Sequence, residues 1–338
     1  MSRKVILDVD PGIDDAIAMV TALKSDELEV AGIATVYGNV TPRLGMLNTL
    51  KVLKSMNRID IPVIRGATRP LKKGLLSSKI KEGRKRGHGK WGLGNLYAGH
   101  SIVNDSLDRG AKGNKGPLAV DLKCKNFLGF IDEIIRYCND GEISIIATGP
   151  LTNIARAILY RPEFIRKIDQ LLIMGGAYGL GSHIRGNVTN FAEFNFYCDP
   201  DAASLVLTSR NLNSKTKVVG LDVTQHPRFG LDRAFVNKVR HTIDACKSPA
   251  AELILSLLDF KLIYNTIFHL HDVVAILLYE RPMYFSFKTG NIEITLRGKL
   301  RGRSEFVQNE LGNVKVATMT DANQFKNFLY SRLRSGQI

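Results

Sequence analysis

Short apolar runs rich in β-branched residues recur along the chain at residues 5–9, 30–36, 61–64, 143–147, 171–174 and 218–223, and most end in Gly, Asp or Asn. Runs of this length bounded by turn residues predict buried strands. Between them, apolar positions fall at helical spacing over 14–23, 42–56, 151–159, 200–208 and 250–264. Strand-helix alternation predicts an α/β fold with a largely parallel central sheet flanked by helices, because parallel neighbours need a crossover that a helix supplies. Near the C-terminus, 291–296 and 314–318 alternate as short strands before a last helix around 324–333, which predicts a small strand addition at the sheet edge. No internal repeat and no long Pro/Gly linker divides the chain, so residues 1–338 are expected to form a single domain. The Gly- and Lys-rich stretch near 71–126 is expected to be a basic, flexible insertion.

Composition narrows the class. A length of 338 residues with 44% hydrophobic content is enough for a sizeable core. Cys124, Cys138, Cys198 and Cys246 lie far apart with no CxxC pair, so neither a disulfide framework nor a zinc site is indicated, and a reducing cytoplasm is expected. The chain opens into a strand without a signal-like apolar region and has no run long enough to span a bilayer, so no membrane association is expected. The net charge of +15 is concentrated in Lys72, Lys73, Lys79, Lys81, Arg84, Lys85, Arg86 and Lys90. This cluster reads as a solvated loop rather than a nucleic-acid surface, because no aromatic residue interleaves it before Trp91. No obligatory nucleic-acid partner is expected. The competing reading is salt-sensitive RNA binding through residues 72–90.

The chemistry concentrates in three places. Asp8, Asp10, Asp14 and Asp15 fall within eight residues at the end of the first apolar run. Carboxylates this close repel one another unless a cation or hydrogen-bond donors hold them. A strand over 5–9 delivers Asp10 to the carboxyl edge of the sheet, Pro11 and Gly12 turn the chain, and Asp14 and Asp15 open a helix whose N-terminus favours negative charge. Either acidic residue could be a plain cap; four together point to a hard cation, with Asp10 and Asp15 as ligands and Ca²⁺ or Mg²⁺ as the metal. Asp8 is expected to be structural and to point away from the pocket. Next, Phe268-His269-Leu270-His271-Asp272-Val273 begins a second helix-like run. Its histidines could suggest zinc, although alternate side chains of an extended segment share a face and Asp272 could simply cap the helix. Finally, the segment 186–195 carries Asn187, Asn190, Glu193 and Asn195 among aromatic residues, a set able to grip hydroxyl groups, with Asx turns as the plainer explanation for the asparagines.

These segments, with Tyr37-Gly38-Asn39-Val40, the 147–155 run ATGPLTNIA, Met174-Gly175-Gly176-Ala177, Leu221-Asp222-Val223-Thr224 and Arg301-Gly302-Arg303, resemble the inosine-uridine preferring nucleoside hydrolases, in order and spacing over nearly the whole chain. The DVDPGIDDA signature is highly specific. The resemblance implies a Rossmann-like nucleoside hydrolase fold and a calcium-dependent ribonucleoside N-ribohydrolase releasing ribose and free nucleobase. It implies metal ligation by Asp10, Asp15, Asp272 and the main-chain carbonyl of Thr148, with Asp10 also accepting the proton of the attacking water. Ribose contacts are implied for Asp14, Asn39, Asn187, Glu193, Asn195 and Asp272. His271, and His88 in Gly87-His88-Gly89, match base-side histidines, His271 assisting the leaving base. A homodimer or homotetramer and a role in purine and pyrimidine salvage are further expectations. Such cleavage passes through an oxocarbenium-like state and needs a carboxylate-activated water, which these residues can supply.

The chain also departs from the family pattern. Val273 stands where proline usually follows the His-Asp pair, and 262–270 lacks the usual glycine-rich pattern, which leaves base preference open. Trp91, Tyr264 and Phe268 are candidates to stack on a base, with core packing the plainer role for each. The rival enzyme is a haloacid dehalogenase-type Mg²⁺-dependent phosphohydrolase using Asp8 as nucleophile and Asp10 as acid.

Overall fold

The computed structural model describes residues 2–72, 87–94, 96, 126–180, 185–212, 214–243 and 248–334. The opening apolar run becomes β1 (Arg3–Val9), followed by β2 (Leu28–Thr35), β3 (Val63–Arg65), β4 (Ile143–Ala147), β5 (Ile168–Met174) and β6 (Thr216–Val219). A short pair, β7 (Leu231–Asp232) and β8 (Ile267–Phe268), stands apart, and β9 (Phe285–Ile294), β10 (Ser304–Gln308) and β11 (Val314–Thr320) complete the strands. The helices that matter below are α1 (Ile13–Leu23), α2 (Pro42–Ser55), α3 (Phe127–Tyr137), α4 (Thr152–Tyr160), α5 (Phe164–Lys167), α6 (Phe194–Cys198) and α7 (Pro200–Leu207). They continue with α8 (Leu221–Thr224), α9 (Arg233–Ile243), α10 (Pro249–Tyr264), α11 (His271–Glu280) and α12 (Ala322–Arg334).

The main sheet runs β10-β9-β11-β6-β5-β4-β1-β2-β3. Every pairing from β3 to β11 is parallel, and only β9, near one edge, is reversed, pairing antiparallel with both β11 and β10. The α/β architecture and the C-terminal edge addition read from the sequence are therefore both present. The order matters for chemistry. From β1 the chain moves outward to β2 and β3, then returns to the other side of β1 as β4, so the crevice between the ends of β1 and β4 is a topological switch point where ligands collect.

Alternation along β1 explains why it is central: Val5, Leu7 and Val9 enter one buried cluster, with α1, α10 and α11, whereas Ile6 enters the opposite one, with α3, α4 and α7. Boundaries differ from expectation in three places. The strand read at 61–64 is only Val63–Arg65, and the one read at 218–223 stops at Val219, since Gly220 caps a helical turn, α8. The C-terminal addition also contains β10, which pairs with β9 from Ser304 opposite Ile294 to Gln308 opposite Gly290. Most of the basic stretch 71–126 lies outside the described residues. Lys72 pairs with Asp201 at 3.0 Å, and the Lys90 ammonium lies 4.6 Å from the Trp91 ring centre. Among the described residues no helix is long and apolar enough to cross a membrane.

Candidate active site

Asp10 is the first residue beyond β1, and it is fully buried. Its carboxylate is held by Asn39, which follows β2. The Asn39 N–H donates to Oδ2 at 2.6 Å and its side-chain amide donates to Oδ1 at 3.2 Å. Gly38 makes this approach possible, because a Cβ at that position would overlap Asp10 Oδ2. Asn39 thus meets the cluster through Asp10, and its amide also reaches Asp15 Oδ2 at 3.5 Å.

Asp15 folds back over the helix start. Oδ2 accepts from Gly12 N–H at 3.0 Å, and Oδ1 accepts from Asp10 N–H at 3.3 Å and from the Thr148 hydroxyl at 2.8 Å. Thr148 follows β4, so this bond closes the switch-point crevice. Burial raises the Asp15 carboxyl to about 6, with these donors working against the rise. Asp272 sits in the first turn of α11, where Leu270, not Asp272, is the capping position. It is 5% exposed and accepts no hydrogen bond among the described residues. Burial, then the neighbouring charges of Asp15, Asp14 and Asp10, hold it well above the usual carboxylate range. Among the described residues no three His, Cys, Asp or Glu side chains meet the geometry of a preformed metal site. The donor set nonetheless fits a hard cation: Asp272 has no donor among the described residues while three carboxylates raise its energy, and every candidate ligand atom is oxygen. The Thr148 carbonyl accepts from the Asn195 amide at 2.8 Å, which uses one of its two lone pairs.

The 186–195 segment divides in two. Glu193 is buried and caps α6, accepting from Asn195 N–H at 2.8 Å and from Phe196 N–H and Gly176 N–H at 3.1 Å each. Burial raises its carboxyl despite these donors. Asn195 spans the ends of β4 and β5, donating to the Thr148 and Met174 carbonyls at 2.8 and 3.1 Å. Asn187 is exposed on the preceding turn, which Gly186 N–H closes onto the Asn190 carbonyl at 3.2 Å. It makes no hydrogen bond to the carboxylates.

Opposite lies a wall that the sequence only partly revealed. Asp14 pairs at 2.6 Å with the ammonium of Lys261, and both side chains are almost wholly buried. Burial works to raise the Asp14 carboxyl, but Lys261, His88 and His271 bring it down to about 2. His88 Nδ1 accepts from Ile13 N–H at 3.0 Å, so the ring lies across the N-terminus of α1. Desolvation, aided by the Lys261 charge, lowers His88 to about 3. His271 Nδ1 is 2.8 Å from the Thr224 hydroxyl, and desolvation together with His269 and Lys261 outweighs Asp14 to bring it to about 4. Both rings are therefore neutral near pH 7. His269 and His271 stack at 6.0 Å but hold different partners, since His269 Nε2 faces the His226 carbonyl at 3.3 Å. Lys261 was not anticipated; a lysine late in an apolar helix reads as a solvated end, and its buried charge is visible only in three dimensions. Of the aromatic candidates, Phe268 is core, Tyr264 is 67% exposed and meets Phe260 edge-on at 5.5 Å, and Trp91 is half-buried.

Asp8 answers the rival enzyme. It is fully buried and accepts from the Asn153 amide at 2.7 Å, and burial raises its carboxyl to about 7. Asn153 in turn accepts from Ala67 N–H at 2.7 Å. Asp8 and Asp10, two apart, would share a face in a continuous strand. They separate because β1 ends at Val9 and Asp10 leaves the pleat. A buried carboxyl engaged with α4 cannot serve as an exposed nucleophile, so the phosphohydrolase reading is not supported.

The comparisons agree. The sequence matches the inosine-uridine preferring nucleoside hydrolase family over residues 5–327. It is 31% identical to the probable uridine nucleosidase 2 of Arabidopsis thaliana, over 98% of this chain and 97% of that protein. It is likewise 31% identical to the pyrimidine-specific ribonucleoside hydrolase RihA of Escherichia coli O127:H6, over 99% of each. A purine-preferring ribonucleoside hydrolase from Gardnerella vaginalis superposes with a TM-score of 0.81 at 26% identity, covering 99% of both chains. With its signature aspartates gathered at the switch point of the same fold, the chain belongs to the inosine-uridine preferring nucleoside hydrolase family.

Proposed function

We propose that this chain hydrolyses the N-glycosidic bond of ribonucleosides to ribose and free nucleobase, using Asp10 as the proton acceptor for water. The reading is carried by the approach of Asp272 to Asp10 and Asp15, more than 250 positions earlier in the chain, where Asn195 also bonds the Thr148 carbonyl. Asp10, Asp15, Asp272 and the Thr148 carbonyl would hold calcium, which when bound offsets their mutual repulsion and lowers the pKa of a ligating water.

The residues of the chain divide the remaining work. The two donors from Asn39 fix the Asp10 carboxylate, so its orientation is settled before substrate arrives. Asp14, Asn39, Asn187, Glu193, Asn195 and Asp272 are assigned to the ribose hydroxyls. Glu193 and Asn195 are rigidly placed for this by their bonds to backbone, whereas Asn187 would have to swing in from its exposed turn. His88 and His271 line the base side. In the tautomer in which the Thr224 hydroxyl, 2.8 Å away, donates to Nδ1, His271 carries its proton on Nε2 and can offer it to the leaving base.

We also infer a single domain over 1–338, homodimeric or homotetrameric assembly and a cytoplasmic role in purine and pyrimidine salvage. The buried thiol of Cys138 suits a reducing compartment. The relatives' names cover both pyrimidine and purine nucleosides, so the deciding experiment is a panel of ribonucleosides assayed for base release with Ca²⁺ or with EDTA. Base release that EDTA abolishes and Ca²⁺ restores, and that Asp10→Asn lowers by at least about three orders of magnitude while the melting profile is retained, is the expected result. No release from any ribonucleoside, or wild-type rates in Asp10→Asn, would overturn the reading.

A further inference from the structure

Lys261 is the only charged residue among the buried positions of α10, and its ammonium is carried into the interior rather than turned out to water. A lysine has a long stem that usually takes its charge to solvent, and burying that charge is unfavourable unless a partner compensates it. The partner is Asp14 Oδ1 at 2.6 Å. No described residue donates a hydrogen bond to Asp14 Oδ2. Asp14 belongs to the first turn of α1, directly before Asp15, so the pair stands at the lip of the carboxylate cluster. The end of α10 is also built into the pocket wall: Phe260 packs on Gly94, where φ is +64° and any Cβ would strike the ring, and Gly94 N–H donates to the His88 carbonyl at 2.8 Å. One helix end thus carries Lys261 and braces the loop that supplies His88.

We propose that Lys261 is a positioning residue for substrate: by fixing Asp14 Oδ1 it turns Oδ2 toward one ribose hydroxyl as that hydroxyl's acceptor. The inference rests on the site being a ribonucleoside site. Without the ammonium at Oδ1 the Asp14 carboxylate is free to rotate, and rotation takes Oδ2 away from the hydroxyl. A monodentate ammonium suits this task, because an arginine fork would claim both carboxylate oxygens and leave none for the substrate.

The test compares wild type, Lys261→Met and Lys261→Arg on one hydrolysed ribonucleoside and on its 2′-, 3′- and 5′-deoxy analogues. Lys261→Met is expected to lower kcat/KM for the ribonucleoside roughly tenfold or more, with most of the loss in KM. On the one analogue that lacks the hydroxyl held by Asp14, that loss should largely vanish, and Asp14→Asn should give the same substrate fingerprint. If Lys261→Met does not fold, Lys261→Arg carries the test, with the same fingerprint, because its fork occupies both oxygens of Asp14. An equal loss on all four substrates would reduce Lys261 to a structural role and overturn the inference alone. A wild-type protein that releases no base would instead overturn the ribonucleoside reading beneath it.

Discussion

At the scale of single residues, the site is governed by which charges burial tolerates. Asp15 and Asp272 are lifted by desolvation and then by neighbouring carboxylates, Asp14 for the first and Asp15, Asp14 and Asp10 for the second, whereas Asp14 itself is lowered because Lys261 faces it. His88 shows the same physics from the basic side. Its folded value is near 3 against an ordinary 6.5, so over that interval the unfolded chain binds a proton that the native protein refuses. Protonation then favours unfolding, and the contribution of His88 to stability, complete above about pH 6.5, is lost as pH falls toward 3. His88→Gln removes this term. The melting temperature of the variant should therefore fall less steeply than that of wild type between about pH 6.5 and pH 5. Parallel melting curves across that range would show that His88 is free to protonate in the native state.

At the scale of elements, the C-terminal addition does more than widen the sheet. The Arg301 guanidinium donates to the Tyr197 and Cys198 carbonyls at 3.3 and 3.5 Å, gripping the C-terminal end of α6, whose other end carries Glu193 and Asn195. Ser304, at the start of β10, accepts from Ala177 N–H at 2.9 Å and donates to its carbonyl at 3.1 Å, pinning the loop after β5. Arg301→Ala should thus raise KM several-fold through looser ribose contacts while leaving kcat nearly unchanged, with a local stability loss of about 1–3 kcal/mol. Equal falls in kcat would place Arg301 closer to the chemistry than its contacts suggest.

These elements differ in how plainly the sequence announced them. The buried parallel strands stood out because both their faces must be apolar, as in Ile143–Ala147, where every residue is buried. β10 did not, because Ser304–Gln308 buries only its first residue. Asp10, Asp15 and Asp272 were legible through a crowded motif and a distinctive pair. Lys261 and Asn153 were not, because a single polar residue in a helix has no meaning until the element it faces is known.

At the scale of the whole molecule, the site draws on the carboxyl ends of β1, β2, β4 and β5 and on the first turns of α1, α6 and α11. The amino ends of the same strands carry none of it. At about 3.3 Å per residue, the start of β4 lies roughly 15 Å from Thr148. Gly141, in the turn just before β4, is exposed, has φ of +70° and has open space where a side chain would project. A short Gly-Ser insertion there should leave kcat and KM within about twofold of wild type. The same insertion beside Gly38 should abolish turnover, and comparable activity in the two would contradict a one-ended site.

The single steric contact at Gly38 sets how far this pocket can be altered. Its bare α-carbon faces Asp10 without a side chain between them, so the gap between base and backbone is already closed to one atom. On the proposed assignment, variation in which nucleobase is accepted is expected at the histidine and α10 wall, because beside Asp10 no side chain fits at position 38.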